Sequence, residues 1–428
     1  MAKGHLTITD APEATTHPPA AVPATAAEDL PAIVLGGHVT ALGVVRCLGR
    51  LGVTAYLVSD RRDYAARSRW VRPLPGGPPE SPEPGPLARF LETLSLERAL
   101  VLPCSDDWAR AAAALPAELR SRFPSPIARP EALEQFLDKE HFAALVARLA
   151  VPHPRTVVLR RDDLSALEAF DFAVPGAQLF LKPTDSQDFV RHFGVKALAL
   201  HDEADARARL DEVWAAGIDS MLVQEYVPGP VSSHYFVDGY VRADGEVAAR
   251  LARRRLRMYP RDFGNSTYHV SVPLAEVEAA PEHIDRLLRE TDFRGIFSAE
   301  FKRDERDGLF RILEVNVRPW WYIHFAATCG VDVCELAHRE ARGLTVEPVR
   351  SYRTGERCVL LGADVRAYLD QRGEDGVGFF AWLATWLGAT RVVFSSRDPL
   401  PALLHVQQVG ARRLRRLLRL RPRARPAS

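Results

Sequence analysis

Two short segments near residue 300 constrain the fold most, because they are predicted to be the two strands of one hairpin. Residues 298–302 (SAEFK) and 312–316 (ILEVN) largely alternate apolar and polar side chains, a period that is typical of strands. The linker, residues 303–308 (RDERDG), ends in Asp-Gly, which favours a tight turn between antiparallel strands. The chain is therefore expected to contain a sheet with an antiparallel hairpin at this place.

The polar positions of this hairpin have the composition of a metal site. Glu314 and Asn316 are two residues apart, so their side chains project from one face of the strand, and Glu300 lies on the partner strand. Hard oxygen ligands of this kind suit Mg²⁺, which usually takes one or two carboxylates together with substrate phosphates. Arg318 continues the alternation and could neutralise a transferring phosphoryl group. The alternative is that these polar side chains simply face solvent on the hairpin and bind no metal.

Two upstream strands carry groups that suit a nucleotide. The apolar segment 179–183 (LFLKP) brings Lys182 to a strand end, where its ammonium group could bind a phosphate or simply extend into solvent. Residues 222–229 (LVQEYVPG) form a strand that ends in a Pro-Gly turn. Such a segment could offer backbone groups to the edge of an adenine, although an ordinary strand and turn would look the same.

The first ordered part of the chain is predicted to be a βαβ unit. An apolar run at 32–35 ends in Gly36-Gly37-His38, a helical pattern covers 41–51, and a second apolar run covers 54–58. This order implies a parallel sheet. A nicotinamide or flavin enzyme is disfavoured, because the turn does not fit the G-x-G-x-x-G pattern.

These motifs, in this order, resemble the ATP-grasp superfamily, and more narrowly its carboxylate–amine ligase group, which includes D-aspartate ligase. The order is Asp138-Lys139, Leu181-Lys182-Pro183, the segment 224–229, Glu300, and Glu314-Val315-Asn316. The arginine-rich segment 253–260 (RRRLRMYP) is also similar to that group. The resemblance covers roughly residues 30–345 and predicts a mixed α/β and α+β chain. An ATP-grasp fold would follow an N-terminal parallel-sheet domain and precede a C-terminal helical extension.

The resemblance implies where a nucleotide would bind. ATP would lie between two α+β subdomains, with Lys139 and Lys182 at its phosphates. Glu225 and Val227, beside Gln224, would present backbone groups to adenine, and His234 would lie near the ribose.

The resemblance also implies a reaction, in which ATP activates a carboxylate as an acyl phosphate and an amine displaces phosphate. Glu300, Glu314 and Asn316 would hold one or two Mg²⁺ ions, or Mn²⁺ in their place. Arg318, Arg255 and Lys302 would act on the γ-phosphate, the acyl phosphate or the carboxylate. The substrates would be small molecules, an amino acid or peptide among them. Gly37, His38 and Ser105 would contribute to the carboxylate pocket.

One segment departs from the family pattern. Many relatives cover the phosphates with a glycine-rich loop, whereas here Lys182 is followed by PTDSQDF and the first glycine is Gly194. Lys196 is expected to supply charge in place of glycine backbone. This departure keeps open a second function, a non-catalytic Mg-ATP sensor or regulatory module, which would bind ATP without turnover.

The sequence divides into five parts. They are predicted to be a disordered lead-in (1–30), an N-terminal α/β domain (31–125), an ATP-grasp domain of two subdomains (126–348), a helical extension (349–410) and a basic tail (411–428). The tail contains eight arginines and no acid. It is predicted to be either a solvated, disordered end or an amphipathic helix on an anionic membrane or acidic protein.

Composition bears on the partners of the protein and on its place in the cell. Lys and Arg number 56 against 55 Asp and Glu, so nucleic acid is not an expected partner. The five cysteines form no CxxC pair, and residues 1–30 lack the apolar stretch of a secretory signal. The longest apolar run, 377–389 (VGFFAWLATWLGA), is shorter than the about 20 residues that span a membrane. We expect a cytoplasmic protein, peripheral to the membrane if the tail binds it, in which this run is a buried helix.

Overall fold

The computed structural model describes residues 30–74, 77–170, 178–183, 189, 192–195, 197–261, 264–371 and 377–419. Four sequence-based expectations fall wholly or mostly outside these ranges. They concern the lead-in apart from Leu30, the phosphate loop at 184–188, Lys196, and residues 420–428 of the tail. None of the described helices is both long and apolar enough to cross a membrane.

The N-terminal part forms a four-stranded parallel sheet in the order β3–β2–β1–β4. Its elements are β1 (Ala32–Leu35), α1 (His38–Arg50), β2 (Ala55–Val58), β3 (Val71–Arg72), α2 (Pro84–Thr93), β4 (Leu100–Pro103), α3 (Asp106–Ala113) and α4 (Ala117–Arg122). Every residue of β1 is buried, and its side chains alternate between two cores, Val34 in one and Ile33 and Leu35 in the other. Burial on both faces is what a parallel sheet between helices requires.

Two helices lead into a second, antiparallel sheet in the order β5–β8–β6–β7. The helices are α5 (Pro130–Leu137) and α6 (Lys139–Arg148), and the side chain of Asp138 caps α6 by accepting from the backbone N–H groups of residues 140 and 141. The sheet comprises β5 (Thr156–Arg160), β6 (Leu179–Pro183), β7 (Leu198–Leu200) and β8 (Ser220–Glu225), with α7 (Glu203–Ala215) between the last two.

The third sheet has seven strands in the order β13–β12–β9–β10–β11–β14–β15. It is antiparallel except for the pair β14–β15. Its elements are β9 (His234–Val241), β10 (Val247–Tyr259), β11 (Asn265–Val272), α8 (Ala280–Glu290), β12 (Gly295–Arg303), β13 (Phe310–Asn316), α9 (Ile323–Cys329), α10 (Val333–Ala341) and β14 (Arg357–Val359). The predicted fold class, a parallel-sheet domain followed by mixed α and β structure, is confirmed.

The C-terminal extension contains helices as predicted, but it also adds strands to the third sheet. Its remaining elements are α11 (Leu361–Gln371), α12 (Phe379–Ala384), β15 (Thr390–Arg391) and α13 (Leu400–Arg419). After β15 the chain docks on the N-terminal sheet through the buried Asp398, which accepts from Arg46 Nε at 3.1 Å and Ser68 Oγ at 2.8 Å. Helix α13 also includes residues 411–419, so the first half of the basic tail is helical.

The prediction of a buried helix over residues 377–389 is wrong. Only residues 379–384 are helical, and although Trp382 is buried, Phe380 is 83% and Leu387 is 71% exposed. An uninterrupted apolar run carries no polar positions that would mark a solvent face, so the sequence alone suggests burial.

A buried carboxylate joins the extension to the third sheet. Asp364 on α11 is fully buried. It accepts hydrogen bonds from Arg257 Nε and Nη2 (both 2.8 Å), Thr267 Oγ1 (2.8 Å), Trp382 Nε1 (3.0 Å) and Trp386 Nε1 (2.8 Å). One side chain therefore neutralises a guanidinium group of β10 and fixes both indoles of the α12 region.

Replacement of this carboxylate should destabilise the protein. In Asp364→Ala the guanidinium of Arg257 loses its partner while it stays mostly buried, and breaking a buried pair in this way costs about 3–5 kcal/mol. We expect the midpoint of thermal unfolding, measured by calorimetry, to fall by several degrees. Asp244→Ala is the matched control, since it breaks an exposed pair with Arg242 and should change the midpoint little. If the midpoint fell equally in the two variants, the buried pair between Asp364 and Arg257 would not be a special source of stability.

Candidate active site

The hairpin β12–β13 brings the three predicted metal ligands together. Glu300 pairs directly with Glu314, and Ser298 pairs with Asn316. A bulge follows the first pair, so Leu313 is an extra residue in β13. The side-chain amide of Asn316 donates to Glu314 Oε1 at 3.3 Å. Glu314 is exposed, whereas Glu300 is largely buried, so this cross-strand pair lies at the border between solvent and protein.

Glu300 is held by two side chains from neighbouring strands. Its Oε1 lies 2.9 Å from Arg255 Nη2 on β10 and 2.9 Å from His234 Nδ1 on β9. Burial by itself would raise the pKa of Glu300, but the charge of Arg255 and the contact with His234 lower it to about 2. Burial, together with the charge of Arg255, lowers the pKa of His234 to about 4. At neutral pH the cluster is therefore a carboxylate, a guanidinium and a neutral imidazole.

Lys302 adds a second positive charge on the same face of β12. Its side chain is buried, and Nζ lies 4.1 Å from the centre of the Tyr226 ring. Within the described residues, this ammonium group has no hydrogen-bond partner. Burial and the nearby Arg255 lower the pKa of Lys302 to about 8. Buried charged groups are normally paired, so an unpaired ammonium facing a cavity indicates a place for an anion.

A cleft between the second and third sheets connects these residues. Its first part is a cavity of about 200 Å³ lined by Phe180, Lys182, Ala197, Gln224, Glu225, Tyr226, Val227, His234, Arg255, Gly264, Asn265, Glu300, Lys302, Leu313 and Glu314. Its second part, about 160 Å³, has Asp106, Lys139, Lys182, Gln224, Leu313, Glu314 and Asn316 among its lining residues. Lys182, Gln224, Leu313 and Glu314 line both parts, so the two cavities adjoin.

The predicted phosphate lysines both reach the second part of this cleft. Lys182 lies near the end of β6, and Lys139 is the first residue of α6. The ammonium group of Lys139 donates to the carbonyl oxygen of Pro183, which brings it to the strand that carries Lys182. Helix and strand thus place two positive charges beside Glu314 and Asn316.

The predicted adenine segment lies along the first part of the cleft. The side chain of Gln224 donates to Thr156 Oγ1 at 2.8 Å, which ties β8 to β5. The Glu225 N–H donates to the Arg155 carbonyl, so an adenine contact from Glu225 would come from its own carbonyl oxygen. Val227 is buried and lines the cavity.

Arg318 is turned toward the N-terminal domain. Its Nε lies 2.6 Å from Oδ1 of Asp106, the first residue of α3, and its Nη1 donates to the carbonyl of Pro319 at 3.1 Å. Arg318 itself lines neither part of the cleft, whereas Asp106 lines the second part. The guanidinium is therefore adjacent to the cleft and held by a carboxylate from another domain.

The residues expected at the carboxylate pocket lie at the carboxyl ends of β1 and β4. The His38 N–H donates to Asp63 Oδ2 at 2.8 Å, and a Cβ on Gly37 would approach the same oxygen to 2.3 Å, so only glycine fits there. Ser105 caps α3 by accepting from the Trp108 N–H at 3.4 Å. Gly37, His38 and Ser105 line neither part of the cleft, whereas their neighbour Asp106 does.

Sequence reasoning assigned no role to several residues of the cleft. Tyr226 lies within the predicted adenine segment, but only the fold shows that its ring contacts the ammonium group of Lys302. Leu313 and Phe180 supply apolar wall, and a lone apolar residue in a strand carries no signal of that role. Asp106 could have been suspected from its position at the end of β4, where parallel sheets place functional side chains.

Comparison with known proteins shows which families and relatives the chain is similar to. Residues 218–359 match the family described as ATP-grasp in the biosynthetic pathway with Ter operon. Over 244 residues the chain is 26% identical to the D-aspartate ligase of Enterococcus faecium, a match that covers 55% of this chain. The match spans 57% of the length of that ligase.

Solved structures share the fold at low sequence identity. An N5-carboxyaminoimidazole ribonucleotide synthetase in complex with ADP matches with a TM-score of 0.58 and 14% identity, over 80% of this chain and 85% of that one. Biotin carboxylase from Campylobacter jejuni matches with a TM-score of 0.57 and 16% identity, over 76% and 74%. Phosphoribosylglycinamide synthetase from Anaerococcus prevotii matches with a TM-score of 0.55 and 15% identity, over 77% and 80%.

These similarities confirm the resemblance that the motifs predicted, including the likeness to a carboxylate–amine ligase. The family match covers the strands β9 to β14, on which Arg255, Glu300 and Glu314 lie. Residues 218–359 therefore resemble an ATP-grasp family, and the chain shares its fold with the synthetase and carboxylase structures.

Proposed function

We propose that this chain is an ATP-dependent ligase that joins a carboxylate to an amine through an acyl phosphate and releases ADP and phosphate. The observation that carries the proposal is the buried ammonium group of Lys302. It has no hydrogen-bond partner among the described residues and faces the cavity that Arg255, Glu300 and Glu314 also line. An anion such as a nucleotide phosphate would complete this arrangement.

The residues of the cleft fit a nucleotide. Phe180, Val227 and Leu313 provide apolar wall suited to a purine base. Lys139 and Lys182 lie at the adjoining part, where they would bind phosphate oxygens as positive charges. The first part also holds the cations Arg255 and Lys302, so the cleft offers both apolar wall for the base and positive charge for the phosphates of ATP.

The oxygen donors fit a hard divalent cation. Glu314 and Asn316 lie within hydrogen-bond distance of each other, and Glu314 pairs with Glu300 across the hairpin. Both ion-pair contacts of Glu300 are made by Oε1, which leaves Oε2 able to face a metal. When bound, Mg-ATP would supply the phosphoryl group, with the metal neutralising charge on its oxygens.

The chain's own residues would then position and neutralise the reacting groups. Arg255 and Lys302 place two positive charges on one face of the third sheet, where negative charge on a phosphorylated carboxylate would be stabilised. The amine nitrogen attacks the carbonyl carbon, the bond from that carbon to the phosphate oxygen breaks, and the amine gives up a proton. Such positioning requires no protein nucleophile. We propose that both substrates are small molecules, such as amino acids or peptides.

The first test measures turnover. The purified protein is incubated with Mg-ATP and pooled amino acids, and phosphate, ADP and AMP are quantified. We expect phosphate and ADP in amounts that depend on the pool, and a loss on the order of 100-fold in Glu314→Ala. Glu246→Ala, which removes an exposed carboxylate on the β9–β10 turn, is the matched control and should keep full activity.

Two results would contradict the proposed acyl-phosphate ligase and favour another function or mechanism. Release of AMP would mean that the carboxylate is activated as an adenylate. ATP binding without turnover on amino-acid and peptide pools would favour the sensor function, which the glycine-poor segment after Lys182 keeps open.

The second test separates the role of Lys302 in binding from a structural role. Lys302→Met removes a buried charge that lacks a partner, so the free protein should unfold at the same temperature or a higher one. Affinity for Mg-ATP, measured by titration calorimetry, should fall about tenfold or more, since a charge-assisted contact is lost. Arg303→Met, on the next and exposed residue of β12, is the control and should leave affinity unchanged. A less stable variant with undiminished affinity would show that Lys302 is only structural.

A further inference from the structure

The exposed apolar surface of the described chain is concentrated in its C-terminal extension. Most of the large apolar residues that are exposed lie between residues 365 and 406. The most exposed are Phe380 (83%), Leu387 (71%), Val406 (70%), Leu403 (65%) and Leu369 (60%). Exposed apolar surface concentrated in one part of a chain is a feature of places where a protein meets a partner or a membrane.

Helix α13 presents part of this surface in a fixed orientation. Leu400, Leu403 and Val406 recur every three residues and are all exposed. Between them, the ring of His405 lies edge-on to the ring of Tyr64 with centroids 4.8 Å apart. One side of the helix is therefore packed on the N-terminal domain, and an apolar stripe is left on the solvent side.

The same helix continues into the most basic part of the chain. Helix α13 extends to Arg419, and residues 411–428 carry eight of the 56 Lys and Arg residues but none of the 55 acids. An apolar stripe followed by an acid-free arginine segment complements a surface that is anionic outside and apolar beneath. A bilayer with anionic headgroups has these properties.

We propose that α13 and the arginine-rich tail bind the chain to the surface of a membrane that contains anionic lipid. Leu400, Leu403 and Val406 enter the boundary between headgroups and acyl chains, and the arginines bind the headgroup phosphates. In this arrangement the contact is made at the surface of the bilayer. This inference goes beyond the proposed ligase activity and does not depend on it.

Vesicle flotation of the full-length protein tests this proposal. We expect the protein to float with vesicles of phosphatidylcholine and phosphatidylglycerol and to stay behind with phosphatidylcholine alone. The double variant Leu403→Ser and Val406→Ser should lower the partition coefficient about tenfold or more. Replacement of Arg412, Arg413, Arg415 and Arg416 by Gln should reduce it as well and weaken its dependence on salt, since four of the eight arginines remain.

A matched control tests whether the loss of any two exposed apolar residues would weaken vesicle binding. The double variant Leu309→Ser and Leu344→Ser removes two exposed leucines outside the extension and should bind vesicles like the unmodified protein. Because all four of these apolar positions are exposed, both double variants should keep the circular dichroism and the thermal midpoint of the unmodified protein.

Three outcomes would overturn the proposal. The first is equal binding to neutral and anionic vesicles, or no binding to either. The second is binding that the arginine variant abolishes and the Leu403/Val406 variant leaves intact, which would indicate a purely electrostatic tail. The third is self-association that the Leu403/Val406 variant abolishes, without vesicle binding, which would make a second copy of the chain the partner.

Discussion

The ion pair between Arg255 and Glu300 is the interaction around which the cleft is organised. The two residues lie on β10 and β12, which flank β9 in the sheet, and His234 on β9 contacts both. Charges taken out of water destabilise a fold unless they are paired. The register of three neighbouring strands is therefore tied to this pair, because a shift of one residue would bury the two charges apart from each other.

Strand alternation separates this polar face from the apolar core behind it. On β12, Phe297, Ala299 and Phe301 belong to one apolar core, while Glu300 and Lys302, which lie on the opposite face of the strand, line the cleft. The strand can therefore carry two buried charges on one face because the other is packed with aromatic and aliphatic groups. Stability and the candidate chemistry are divided between alternate residues of the same strands.

The sequence predicted those parts of the structure in which local pattern and tertiary environment agree. The hairpin with Glu300 and Glu314 followed from alternation and an Asp-Gly turn, and both remain local properties in the fold. Strand β11 was not predicted because its buried side chains include Ser266, Thr267 and His269. These polar residues at buried positions interrupt the alternation of apolar and polar residues by which a strand is recognised. The pairing of Arg318 with Asp106 joins residues of separate domains, and no local pattern could indicate it.

The short strands of the extension have a consequence for where the chain can be divided. β14 covers β11 along the third sheet and β15 covers β14, although both strands lie beyond residue 348, where the sequence suggested a boundary. The family match ends at residue 359, the last residue of β14. A fragment that stopped at residue 348 would leave the edge of β11 with unpaired backbone groups, which is a template for aggregation with other chains. The extension is thus part of the smallest fragment in which the edge of β11 stays covered.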